Sequence, residues 1–471
     1  MNELTSYVAG KKVRSSQQIT VKSPYDGAVA GTVVLALRAD TDAAIAAATQ
    51  FRETPTRFER SNTLDKARLA LELRREEFAQ LISREAGLCV RESRYEVGRA
   101  LDVLRFSSME ALRDDGQVFS CDVSAQGKAR KIFTTRVPLS CAVCITPFNH
   151  PLNQVAHKIA PAIAAGCPVI LKPSEKAPLT AIRFVELLYE AGLPGPMLSV
   201  LLGSRTEVIE PLVQNPKVEL VSFTGSVDVG KRIASNAGYK KVVLELGGND
   251  PLIVLEDADM DLAVTLAAEG SYRNSGQRCT AVKRILVQES IREEFTRRLV
   301  EKTREYICGD PLSEATRVGT VIDEASAIYL DTVVKEAIAG GATVLVGGER
   351  RGALFPPTVI TDVPRFCRMV DCESFGPLAP IMTVKDLSEA ITVANETAFG
   401  LSSGIVTRSL DAALRAIKEL RCGTVNVNEV PGFRIESSPF GGIKDSGLGI
   451  KEGVIEAMKH FTYVKTFSLP W

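Results

Sequence analysis

This chain of 471 residues has no excess of charge of either sign, no long apolar run and only 3 histidines. Its 57 lysines and arginines are matched by 57 aspartates and glutamates, so no global positive field exists to attract nucleic acid or anionic lipid. Neither a nucleic-acid partner nor a membrane is expected. The longest weakly polar stretch, Ile159 to Leu171, is too short to cross a bilayer and holds two prolines, and the opening MNELTSYVAGKKVR lacks the basic-then-apolar order of a signal peptide. These features predict a soluble, cytoplasmic protein. Ten cysteines in this length are too dilute for a disulfide scaffold. Cys141-x-x-Cys144 sits inside PLSCAVCITP, a buried-strand pattern, and no second pair stands at zinc-ligand spacing. With only His150, His157 and His460 to add, no metal site is expected.

What is present is core-forming material, 45% hydrophobic residues in about three domains' worth of chain. From Asp40 to about Arg113 the apolar spacing is helical, with a long charged amphipathic run from Arg60 to Ala86. Two β-like stretches, Gln117–Val123 and Arg130–Val137, flank the polar turn SAQGK and read as a hairpin. From Cys141 to Leu246 five short apolar runs alternate with four helical patterns, the signature of a parallel sheet wound on both faces. A second alternation begins after Gly248: strand PLIVL, a helix from Asp259 to Tyr272, strand RILVQ, a helix from Arg292 to Tyr306, and further units to about Val427. The predicted fold is α/β, with two doubly wound domains plus a small β element, and the tail HFTYVKTFSLPW is expected to pair with the hairpin. No internal repeat or low-complexity segment is evident.

Several residues carry chemistry in their own right. Cys279 lies in the polar loop NSGQRCTAVKR between Arg278 and Lys283-Arg284, and nearby cations are expected to lower the thiol's pKa. Glu245 ends an apolar strand and precedes Gly247-Gly248; a carboxylate semi-buried there gains a raised pKa and suits a general base. Lys172 and Glu175 lie just beyond a parallel strand, where doubly wound folds bind ligands, and a carboxylate there suits a ribose diol. GSVDVGKR at Gly225–Arg232 nearly matches a triphosphate-binding loop, but Arg232 replaces the magnesium-holding Ser or Thr. A strand, a small-residue turn at Gly225-Ser226 and a helix N-terminus remain, suited to a pyrophosphate.

Seven motifs stand in one order: PFN (Pro147–Asn149), KPSE (Lys172–Glu175), FTGS (Phe223–Ser226), LELGG (Leu244–Gly248), GQRCT (Gly276–Thr280), ESFGP (Glu373–Pro377) and PFGGIKDSG (Pro439–Gly447). In this the chain resembles the aldehyde dehydrogenase superfamily over nearly its whole length. The resemblance implies a dinucleotide-binding domain (1–116 and 138–246), a catalytic domain (247–440), and an oligomerisation hairpin with a C-terminal strand (117–137 and 460–471). It makes Cys279 the nucleophile, Glu245 the base for hydrolysis and Asn149 an oxyanion donor. The cofactor would meet Thr146, Phe148, Lys172, Ser174, Glu175, Gly203, Phe223, Gly225, Ser226, Leu246, Glu373 and Phe375. Glu245 argues against a coenzyme A-acylating enzyme, and Glu175, standing where a 2′-phosphate would lie, favours NAD over NADP. The same family implies a homodimer or a dimer-of-dimers tetramer.

Departures from the family pattern point to the substrate. Where an aromatic residue often follows the oxyanion Asn the chain has His150, and Arg278 precedes the nucleophile. Arg99, on the helix that in this family borders the substrate tunnel, adds a cation; Thr280 lies beside the nucleophile, and Arg434 is a further candidate at the tunnel mouth. A cationic tunnel implies a small anionic aldehyde. These residues resemble the branches acting on phosphonate- and phosphate-bearing aldehydes, which implies NAD-dependent oxidation of phosphonoacetaldehyde to phosphonoacetate. Glyceraldehyde 3-phosphate and succinate semialdehyde are the alternatives within the enzyme class, and a silent NAD-binding scaffold is the alternative outside it.

Overall fold

The computed structural model describes residues 2–471. Two seven-stranded sheets dominate. In the first, the strands run in the order Lys241–Glu245, Leu220–Thr224, Ala142–Ile145, Val169–Lys172, Leu198–Val200, Tyr7–Val8 and Lys11–Lys12. The five strands after residue 140 are parallel, and the two N-terminal strands close the far edge antiparallel. By chain order the parallel strands stand 5-4-1-2-3, so the topological switch point lies between Ala142–Ile145 and Leu220–Thr224.

Side chains alternate between two cores, one on each face of this sheet. Ala142 and Cys144 join one core with Val169 and Leu171, while Cys141, Val143 and Ile145 join the other with Ile170 and Val221. Burial on both faces is why these strands read as unbroken apolar runs. It also sends Cys141 and Cys144 to opposite faces, so the two sulfurs do not converge.

The second sheet runs Thr343–Val346, Thr358–Thr361, Leu378–Val384, Val282–Gln288, Asp250–Val254, Ser402–Val406 and Thr424–Val427. All its pairings are parallel except the first, which is antiparallel. It too separates two cores: Ile253 and Leu286 enter one, Leu252, Val254, Ile285 and Val287 the other.

The stretch expected to be helical from Asp40 is helical, beginning at Arg38. Before helix Arg38–Gln50 come strands that build a small sheet and extend the first large one. The amphipathic run is two helices, Arg57–Leu73 and Arg75–Ala86, because Arg74 leaves helical geometry at φ −105° and its guanidinium binds Glu190. The hairpin and tail pair as expected: Val118–Ser120 and Thr462–Pro470 flank Arg130–Pro138, both antiparallel, with Phe133 stacked on Phe467. No helix among the described residues is long and apolar enough to cross a membrane.

The link between the large sheets positions the site. Strand Lys241–Glu245 leaves the first sheet at its C-terminal edge, and four residues later Asp250–Val254 enters the second at its N-terminal edge. The loop before Val282–Gln288, which carries Cys279, therefore opens toward Glu245 and the switch point.

Candidate active site

The loop that carries Cys279 is held in a costly backbone conformation. Asn274, Ser275 and Gly276 take φ of 58°, 53° and 68°, three successive left-handed residues that side chains ordinarily avoid. Hydrogen bonds across the sheet junction compensate. Asn274 Nδ2 donates to the Asn149 carbonyl at 3.0 Å, and Asn149 Nδ2 donates to the Gln277 carbonyl at 2.9 Å. Gly248 admits the loop, since a Cβ there would stand 2.3 Å from the Cys279 carbonyl oxygen. Asn149 is thus fixed beside the loop with one amide hydrogen engaged and its second available to an oxyanion.

The expected lowering of the Cys279 pKa is not found. Burial pushes the thiol up to about 11, and Glu373 and Asp250 push the same way against Lys283 and Arg434. Both neighbouring arginines are turned elsewhere, and Lys283 alone stays close. Arg278 Nη2 donates to the carbonyls of Glu269 and Gly270 at 3.2 and 2.7 Å, at the end of helix Met260–Tyr272. Arg284 is buried against the carbonyls of Asn249, Val393 and Ala394. Lys283 Nζ donates to the carbonyls of Arg278 and Cys279 at 2.6 and 3.2 Å.

Glu245 matches its expectation more strongly than sequence required. It is 5% exposed, and neither carboxyl oxygen has a hydrogen-bond partner. Burial, with the Glu452 carboxylate second, lifts its pKa well above the carboxylate range against Lys158, Arg434 and Lys451. A buried, unpartnered carboxyl is costly to ionise and holds its proton tightly.

A cavity of about 300 Å³ brings together Cys279, Thr280, Arg99, His150, Arg278 and Arg434. Their partners differ. Arg99 is ion-paired with buried Glu436, and the His150 Nδ1 stands 3.4 Å from Glu96, whose other oxygen accepts the backbone N–H groups of Leu152 and Asn153. Arg434 lies 3.9 Å over the Phe440 ring and has no ion-pair partner among the described residues. The lining also includes Arg273, paired with Glu92 at 3.1 Å and placed over the Tyr95 ring.

At the switch point of the first sheet, Lys172 and Glu175 pair at 3.3 Å, and Ser226 precedes helix Val227–Asn236. Gly225 packs on Phe223, whose ring would be 2.4 Å from a Cβ, and the buried hydroxyls of Thr146 and Thr224 lack partners. Leu246 is buried against Gly230, and Gly203 follows strand Leu198–Val200. Ser174 Oγ accepts the Lys176 N–H. Phe148 meets Phe375 edge-on at 5.8 Å, and Glu373 accepts the Gly248 N–H at 3.2 Å. Amides of a helix N-terminus, idle hydroxyls and a Lys–carboxylate pair are the donor set that a dinucleotide's pyrophosphate and ribose require, so the residues fit that cofactor.

Residues 12–467 match the model of the aldehyde dehydrogenase family. The chain belongs to that family. It is 38% identical over 457 residues to the 3-sulfolactaldehyde dehydrogenase of Priestia aryabhattai, covering 97% of this chain and 96% of that one. The NADP-dependent glyceraldehyde-3-phosphate dehydrogenase of Bacillus halodurans C-125, solved with NADP, superposes with a TM-score of 0.97 at 33% identity over 100% of both chains. Aldehyde dehydrogenase 21 of Physcomitrella patens, solved with its reaction product succinate, superposes with a TM-score of 0.96 at 35% identity, covering 99% of this chain and 98% of that one. The protein is an oxidoreductase acting on aldehydes, of a family with members that use NAD or NADP.

Sequence reasoning missed Glu92, Tyr95 and Arg273 at this dehydrogenase's cavity, and Glu436 paired with Arg99 behind it. The first two were accessible: Glu92, Tyr95, Glu96 and Arg99 recur at helical spacing on one face of Val90–Ala111. Glu436 and Arg273 carry no such signal, because their partners come from distant parts of the chain.

Proposed function

We propose that this enzyme oxidises a small aldehyde bearing a tetrahedral oxyanion, with phosphonoacetaldehyde as substrate and phosphonoacetate as product. One observation carries the reading. Of the four arginines lining the cavity beside Cys279, two have their charge cancelled by carboxylates and two, Arg278 and Arg434, have no carboxylate partner among the described residues. Two guanidinium groups without an ion-pair partner match a doubly ionised phosphonate. Thr280 and His150 add polar contacts on the same lining.

The Cys279 thiolate adds to the carbonyl carbon, and the free amide hydrogen of Asn149 holds the resulting oxyanion. Addition must come first, because only a tetrahedral carbon can release hydride. A bound nicotinamide dinucleotide supplies the hydride acceptor. Lys172 and Glu175 would hold its ribose, Gly225, Ser226 and the following helix its pyrophosphate, and Phe148, Glu373 and Phe375 its nicotinamide end; Glu175 favours NAD. Glu245 takes a proton from water, which attacks the thioester on Cys279 and frees the thiolate. Residues 1–116 with 138–246 form the dinucleotide domain, 247–440 the catalytic domain, and the exposed hairpin with the C-terminal strand joins subunits into a dimer or tetramer.

The test compares kcat/KM for phosphonoacetaldehyde, sulfoacetaldehyde, succinate semialdehyde, glyceraldehyde 3-phosphate and propanal by NADH formation. Preference for the phosphonate is expected; equal or better use of propanal would overturn the reading. A sulfonate-bearing aldehyde is the second reading, favoured by the name of the Priestia relative.

A further inference from the structure

Glu92, Glu269 and Glu429 line the cavity, and a fourth carboxylate, Glu436, reaches it only through Arg99. Glu436 is 5% exposed and divides its two oxygens between two partners. Arg99 donates to it through Nε and, at 3.3 Å, through Nη2, while the buried His157 ring grips it from beneath. Burial alone would raise the carboxyl's pKa, but His157, Arg99 and Arg434 together hold it well below the usual range, so it is ionised. Burial pushes the His157 pKa down against the pull of Glu436. Arg99 and Glu436 are therefore a nearly neutral unit at the wall of the substrate cavity.

We propose that Glu436 determines substrate specificity by acting through Arg99: it cancels that residue's charge and fixes its guanidinium beside the cavity, so the head group meets two arginines free of an ion pair, Arg278 and Arg434, rather than three. The proposal rests on the cavity accepting an anionic aldehyde. Arg99 then serves as an oriented hydrogen-bond donor, and Arg278 and Arg434 supply the attraction. Removing Arg99 alone does more than delete a contact, because it leaves a carboxylate facing the anion. Removing the carboxylate alone makes the cavity more positive.

Phosphonoacetaldehyde and sulfoacetaldehyde provide the test, since they are near in shape and differ in head-group charge once the phosphonate is doubly ionised. In Glu436→Gln, which keeps an oxygen for Arg99, the ratio of kcat/KM for the phosphonate over the sulfonate should rise on the order of tenfold, the scale of one unit charge at short range in a partly shielded site. Arg99→Ala should depress both, the phosphonate more. Arg99→Ala/Glu436→Gln should recover activity on both relative to Arg99→Ala. An unchanged ratio in Glu436→Gln, or no recovery in the double variant, overturns the proposal and makes Glu436 a packing residue. Should Glu436→Gln not fold, Arg99→Met decides: losses must deepen from propanal to sulfonate to phosphonate, and a uniform loss overturns the proposal. Wild-type enzyme that prefers propanal instead fails the anionic-aldehyde reading itself, and that result is visible before any variant is made.

Discussion

Arg434→Met is the sharpest perturbation of the proposed substrate site. The replacement keeps a long unbranched chain over the Phe440 ring, where the guanidinium now lies at 3.9 Å, and deletes only charge and donors. Two effects follow, and their sizes differ. Charge-assisted bonds from Arg434 to a phosphonate are worth about 1.5–3 kcal/mol, which is roughly a ten- to hundredfold loss in kcat/KM. Arg434 also lowers the Cys279 pKa, but as the last of five contributions behind burial and Lys283, so the penalty common to all aldehydes should be several-fold at most. The assay is initial NADH formation at saturating NAD and low aldehyde, with phosphonoacetaldehyde and propanal measured in parallel. The phosphonate should lose at least ten times more than propanal. Parallel losses would show that Arg434 serves the thiolate or the fold, and the argument from guanidinium groups without an ion-pair partner would fail. Arg278 is a poorer probe because its Nη2 braces the end of helix Met260–Tyr272, so its removal should slow every aldehyde.

Cys279→Ala should abolish oxidation while NAD still binds, as read by calorimetry; residual turnover would assign the nucleophile elsewhere. Glu245→Gln should give a burst of NADH followed by slow turnover, and loss of the burst would place Glu245 in thiol activation instead. The same substitution bears on stability. A carboxyl whose pKa is raised on folding stabilises the fold fully below its unfolded value and loses that contribution as pH rises through the folded one. Glu245→Gln should therefore raise the Tm at pH 8 and above relative to wild type, and by less near pH 4; an equal Tm at alkaline pH would count against its buried, unpartnered placement. Alkylation of Cys279 in the cofactor-free enzyme should quicken about tenfold per pH unit up to about 11, and a plateau near neutral pH would contradict its burial. Deleting Phe467–Trp471 removes the Phe467 ring and other exposed apolar groups from the outer strand and should shift sedimentation toward monomer.

The sequence by itself determined the elements and the chemistry-bearing residue types. Runs such as CAVCIT and PVILK are apolar at every position, which only a strand buried on both faces explains, and the alternation with helices leaves little choice but a parallel sheet. The strand-end positions of Lys172 and Glu245, and of Ser226 at the following helix start, follow from that reading, as does the placement of Cys279 in a polar loop. Direction and partnership were decided elsewhere. Charges beside Cys279 in the chain point away from its sulfur, because Arg278 and Arg284 find backbone carbonyls supplied by other segments. Arg99 looks like a free cation on its helix until Glu436, 337 residues later, arrives opposite it. Periodicity reports which side of an element a residue occupies, since that depends on neighbours in the chain. The partner a charged group finds depends on which distant segments pack against it, and only the tertiary structure sets that.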